Sequence, residues 1–152
     1  MLSFYRKDAF IMLIQGISAF FATAAFSVIF YLPKKFIIQA GLTGSAGWFI
    51  YLISADITKD KVLATLLATL FVALVSHILA RVLKTPVIMF LIPGIIPMVP
   101  GAGMFQIVQS IVENNVDQTA AYFFQTLQMA GAIALGIFII DTLFRRKRRK
   151  VR

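Results

Sequence analysis

The sequence predicts an all-α integral membrane protein, with about five transmembrane helices, one of them broken by a proline- and glycine-rich segment. Three observations carry this. First, 60% of the 152 residues are hydrophobic, only 14% are charged, and mean hydropathy is +0.89. An ordinary soluble domain is about 45–50% apolar and about 25% charged, and one soluble core of this size has too little interior for so much apolar surface. Second, five long stretches contain no Asp, Glu, Lys or Arg. Third, one of those stretches is dense in helix breakers. A water-soluble enzyme domain, a disordered chain and a disulfide-stapled secreted module are thereby excluded, and the absence of cysteine removes thiolate chemistry as well.

A spanning helix needs about 20 apolar residues. The candidate spans are 9–32, 36–55, 62–80, 85–112 and 119–140, within a single transmembrane domain covering 1–152. The first follows Arg6 and Lys7, and Ala22-Thr23-Ala24 has the look of a signal cleavage site. The apolar run continues through Leu32, however, which is too long for a signal core, so a retained span is expected. The second is the most polar, with Gln39 and glycines at 41, 44 and 47. That spacing keeps the glycines near one helix face, where small residues admit a close neighbour. Plain helix packing and a substrate-lining role for Gln39 and Gly44 both suit the pattern. The connections are short, with no room for a soluble domain between spans.

The net charge of +9 is concentrated at one end: seven of the fifteen basic residues fall in the basic tail 145–152. A basic run straight after an apolar stretch reads as a cytoplasmic flank, able to attract anionic lipid. Without interleaved aromatics or a base-reading motif it does not read as a nucleic-acid site. Placing the tail inside puts Lys34, Lys35, Arg81 and Lys84 inside too, with the N-terminus outside in the five-span version. Eleven basic residues then face inward and four outward; a four-span version gives the same tally, because Arg6/Lys7 and Lys34/Lys35 exchange sides. Charge alone therefore does not choose between them.

The fourth stretch carries the strongest functional signal. Leu91 to Gly103 contains Pro93, Pro97 and Pro100 together with Gly94, Gly101 and Gly103. Each proline removes a donor and clashes with the turn before it. An unbroken helix through all three is not expected. Broken backbone at membrane depth persists only where protein buries it or a wet cavity faces it. A helix restarting near Gly101–Gly103 would present its first N–H groups to an anion such as a carboxylate, the device with which discontinuous helices build transporter sites. A structural kink or an interfacial re-entrant turn is the plainer alternative. Gln106 and Gln109 follow at helical spacing, and Gln125 and Gln128 repeat it in the fifth span. Such amides suit a small zwitterion, or simply interhelical hydrogen bonds.

Few ionisable groups lie inside the spans. His77 is a candidate proton relay or an interfacial histidine near Arg81. Asp141 closes the fifth span four residues before Arg145, the spacing of a local ion pair. HExxH, GxSxG, Walker loop and paired intramembrane carboxylates are all missing, so neither catalytic residue, metal site nor cofactor is expected.

The run Ile92-Pro93-Gly94-Ile95-Ile96-Pro97-Met98-Val99-Pro100-Gly101 resembles the PG(I/V)xPMxPG signature of the threonine/serine exporter (ThrE) family, and more narrowly its small stand-alone subunit. The likeness extends to Phe30-Tyr31-Leu32-Pro33, to Gly44-Ser45-Ala46-Gly47 and to the basic C-terminus, nearly the whole chain. It implies a second half of about five spans, encoded apart from a larger membrane subunit that bears the family's soluble domain. It also implies N-out, C-in placement in the inner membrane, and export of threonine/serine or of a small dicarboxylate such as succinate. The substrate path would run past Pro93, Gly94, Pro97, Pro100, Gly101 and Gly103, with Gln106, Gln109, Gln39, Gly44 and Gln125 nearby. A self-sufficient homo-oligomeric carrier or channel, and a non-transporting scaffold, are the competing readings.

Overall fold

A computed structural model describes residues 2–149, with side chains over 10–145. Every element in that range is helical: α1 (Leu2–Ile29), α2 (Lys34–Thr58), α3 (Lys61–Val82), α4 (Ile88–Ile95), a 3-10 turn (Ile96–Met98), α5 (Gly101–Val112) and α6 (Val116–Arg149). Four helices are long and apolar enough to cross a membrane. The pair α4 and α5, bent by 45° at their junction, makes a fifth if counted as one. This is the fold class expected from composition.

The helix ends follow from local chemistry. α1 stops where Tyr31 turns left-handed (φ 56°) and Pro33 forbids continuation. Lys59 (φ 55°) ends α2 in the same way, its N–H bonded to the Ala55 carbonyl. Asp60 then caps α3, its carboxylate accepting from the N–H groups of Val62 (2.8 Å) and Leu63 (3.4 Å). Lys84 (φ 53°) and Asn114 (φ 54°) make the remaining tight turns, before α4 and α6. The fifth apolar stretch belongs to a longer helix than its apolar limits suggest: α6 carries the backbone of the basic run on to Arg149, while residues 150–152 lie outside the described range.

Much of the interior is made of small residues, with Phe36, Val72, Phe90 and Met98 as larger core side chains. Ala64, Thr65, Ala68, Thr69, Ala73 and Ser76 of α3 are all buried, and α3 packs on α2, α4 and α6. Some buried hydroxyls bond within their own helices: Thr69 donates to the Thr65 carbonyl (2.7 Å) and Ser27 to that of Thr23 (2.8 Å), whereas those of Thr23 and Ser76 have no partner among the described residues. Many large apolar side chains instead point outward, as with Phe10, Leu13, Ile17 and Phe21 on α1. This is the arrangement for a lipid solvent, in which helices associate by close packing of small faces.

The order of contacts fixes the directions. α2 runs antiparallel to α1, and Gly41 and Gly44 face Phe20 and Thr23 so closely that a Cβ at either would overlap those side chains. α4 rises alongside α2: Phe90 meets Phe36 edge-on (5.8 Å), Gly94 sits against Thr43 and Val72, and Met98 reaches Gly47. α3 and α6 run parallel. Leu63 and Gln128 border one groove, Gly136 abuts Thr69, and His77 lies beside Asp141. α5 packs on the N-terminal half of α6, where Ser110 and Thr119 share a hydrogen bond of 2.9 Å.

Candidate functional site

The proline-rich segment breaks the chain at the middle of the bundle. Pro93 is carried inside α4, so the helix survives the first proline and yields at the next two. Pro97 sits in the 3-10 turn, and Val99 is extended (φ −60°, ψ 128°). Pro100 (φ −75°, ψ 56°) has the geometry of an inverse γ-turn, closed by the Gly101 N–H on the Val99 carbonyl at 2.7 Å. The next helix starts immediately, at Gly101. Met98, buried against Val72 and Thr69, pins the break to α3.

A cavity of about 200 Å³ opens at this break. Pro97, Pro100, Gly101, Gly103 and Gln106 border it from the broken segment, and Gln125 from α6. The remaining wall comes from Trp48 and Tyr51 of α2, Lys61 at the start of α3, and Thr126 and Met129 of α6. The volume lies below the roughly 300–1,000 Å³ of drug-sized sites, which suits a small solute. Its polar groups are of complementary kinds. The first turn of α5, with its partial positive charge, and the ammonium of Lys61 favour an anionic group. The amides of Gln106 and Gln125 and the Thr126 hydroxyl donate and accept. Trp48 stacks on Tyr51 (5.0 Å), and its indole N–H is buried with no acceptor among the described residues. A buried donor left unpaired costs about 1–3 kcal/mol.

The other candidates lie elsewhere. Gly94 is a packing residue between α2 and α3, and a Cβ there would meet Val72 at 2.9 Å. Gly44 serves the α1–α2 contact. Pro93 is buried within α4. Gln109 turns away from Gln106 and donates to Glu113 (3.0 Å) on the exposed side of α5. Gln39 has a buried amide oxygen with no donor among the described residues, but does not border the cavity. Gln128 lines the groove beside Leu63 instead. Trp48, Tyr51, Lys61 and Thr126 do not stand out in the sequence, because each looks like an ordinary span or flank residue until α2, α3 and α6 close around the break. The lone Trp48, next to the last glycine of the second stretch, is the available signal.

Residues 15–143 match the family model described as Threonine/Serine exporter, ThrE, and that stretch includes the whole break and most of the surrounding helices. This chain belongs to the threonine/serine exporter family. It is thus a multi-pass membrane protein of an amino-acid exporter type, in a family of transporters. No curated protein and no solved structure matches it. In this exporter the proline-glycine signature has two parts. Pro93 and Gly94 pack the first half-helix, whereas Pro97 to Gly103 form a cavity wall.

Proposed function

We propose that this chain is the small subunit of a two-part secondary exporter of the inner membrane, moving threonine and serine past the break between α4 and α5. The observation that carries the reading is the cavity at the break, bordered by a helix start, Lys61, two glutamines and Trp48. The substrate carboxylate would lie toward Lys61 and the first turn of α5. The amide oxygens of Gln106 and Gln125 would take its ammonium. A small dicarboxylate such as succinate fits the anionic half of this set, but leaves the acceptor half unused.

The bent pair α4–α5 is one span in this reading, giving five. The parallel order of α3 and α6 supports it. If the pair turned back as a re-entrant loop, α6 would begin on the side where α3 ends and run against it. The N-terminus is then outside and the basic C-terminus in the cytoplasm, by the positive-inside rule.

A larger membrane subunit is proposed as partner because, among the described residues, α5 packs mainly on α6. Met104, Phe105, Val108, Ile111 and Val112 remain exposed, as do Phe123 and Phe124 next to them. An apolar helical pair of this kind is a surface for another membrane helix as well as for lipid.

Efflux of preloaded threonine, serine and succinate, from cells producing this chain with and without a candidate large subunit, tests the reading. Export of the hydroxy amino acids only with both chains is the expected result. Export from this chain alone would replace the partner with a homo-oligomeric carrier or channel. No export in any combination, from correctly inserted protein, would leave a scaffold.

A further inference from the structure

A second cavity, of about 450 Å³, lies at one end of the bundle, between the last turns of α3, the start of α4 and the C-terminal part of α6. Its polar side is formed by His77 and Arg81 of α3, Thr85 of the following turn, and Asp141 and Arg145 of α6. Asp141 is already engaged. One carboxylate oxygen holds the Arg145 guanidinium at 2.7 Å, and the other lies 3.7 Å from His77 Nε2. Arg81 has no carboxylate within 4.0 Å among the described residues; its guanidinium rests over the ring of Phe144, 4.9 Å from the centroid, and the same ring stacks on His77. The Thr85 hydroxyl is buried without a partner among the described residues, its backbone N–H being spent on the Ala80 carbonyl. Two guanidiniums thus face one carboxylate, with an unused hydroxyl beside them.

Ala80, Pro86 and Val87 complete the lining with apolar surface. We propose that this cavity binds the phosphate group of an anionic phospholipid. Arg81 supplies the planar fork that suits a phosphate, Thr85 a hydroxyl donor, and Phe144 holds the guanidinium in place. Pro86 and Val87 offer contact to the glycerol and upper acyl carbons, which a free anion would leave bare. The site lies at that end of the bundle, next to the basic run of α6, and so at the depth of headgroups. Arg145 contributes less, because its charge is balanced by Asp141. The proposal is independent of the substrate cavity and of any partner chain.

Native mass spectrometry of the full-length chain, released from mixed detergent micelles with phosphatidylglycerol or phosphatidylcholine, tests this. Wild type should retain phosphatidylglycerol in preference to phosphatidylcholine, and Arg81→Gln should lower that preference about five-fold. Lys84→Gln makes the same charge change outside the cavity and should leave it near wild type. Arg81→Lys keeps the charge without the fork and should fall between. Equal retention by wild type and Arg81→Gln would overturn the site, as would an equal loss in Lys84→Gln. Should Arg81→Gln fail to insert, wild-type retention by Arg81→Lys overturns it instead. Millimolar inorganic phosphate should not displace the lipid. If phosphate alone stabilises lipid-free wild type but not Arg81→Gln, and no lipid preference exists, the cavity is a site for a soluble anion and the lipid assignment fails.

Discussion

Among single residues, the glycines separate packing from function. At Gly44 an added Cβ would overlap Thr23, and at Gly136 it would press on Thr69 and the backbone of Leu70. Both lie where two helices approach closely, so the site has no slack. At Gly101 an added Cβ would meet nothing within 4 Å, because it would project into open space beside the cavity. Gly101→Leu should therefore leave membrane insertion and thermal stability near wild type while lowering threonine efflux about ten-fold or more, equivalent to about 1.4 kcal/mol of lost transition-state stabilisation or access. Gly44→Leu should do the opposite at first: less inserted protein and a lower Tm, from overpacking that costs about 1–3 kcal/mol. Measuring efflux per inserted molecule for both variants checks this. Wild-type efflux from well-inserted Gly101→Leu would remove Gly101 from the substrate path.

Among the elements, the break between α4 and α5 is the unit on which the proposed function turns. Pro97 and Pro100 withhold two backbone donors, and the γ-turn at Pro100 redirects the chain by 45°. Pro100→Ala restores an N–H and relaxes the restriction on Val99, favouring continuation of the helix into α5. The expected outcome is unchanged or raised thermal stability together with a clear fall in transport, because a straighter helix would close the cavity and bury its first-turn N–H groups in intrahelical bonds. Unaltered transport in Pro100→Ala would mean the bend is structural only. Pro93→Ala provides the comparison: Pro93 is already inside α4, so its replacement should leave transport largely intact.

For the molecule as a whole, the parallel run of α3 and α6 and the proposed five spans make a topological prediction. The native sequence has no cysteine, so single cysteines report position without background. Asn114→Cys, in the turn before α6, should be labelled by an impermeant maleimide from outside the cell. Lys84→Cys, in the turn before α4, should be labelled only after permeabilisation. The two turns lie at opposite ends of the α4–α5 pair. Labelling of both from one side would make the pair a re-entrant loop and reduce the spans to four.

Much of this architecture is legible in the sequence. The apolar stretches and the short connections between them, such as the one at Pro33, are local matters, decided by propensity, burial in lipid and backbone sterics within a few residues. For the same reason the helix restart near Gly101 can be read directly from Pro100-Gly101. Legibility fails where the deciding contact is between helices. Gln106 and Gln109 look equivalent at three-residue spacing, yet one borders the cavity and the other pairs with Glu113. Pro93 and Pro97 look alike as breakers, yet only the second lies where Met98 anchors the break to α3.

Hydrophobicity and proline act on the chain locally. The order of residues is therefore enough to establish that this protein lives in a membrane, where its helices fall, and that one of them is broken. Which breaker residues face a cavity, and which glycines are filled by a neighbour, emerge only when the helices pack. So do the meeting of Trp48, Lys61 and Thr126 at the break and that of Arg81 and Thr85 with Phe144 in the second cavity. The relative rotation and depth of packed helices are set by how small residues interlock across the interface, and no local pattern along one helix encodes the surface of its neighbour.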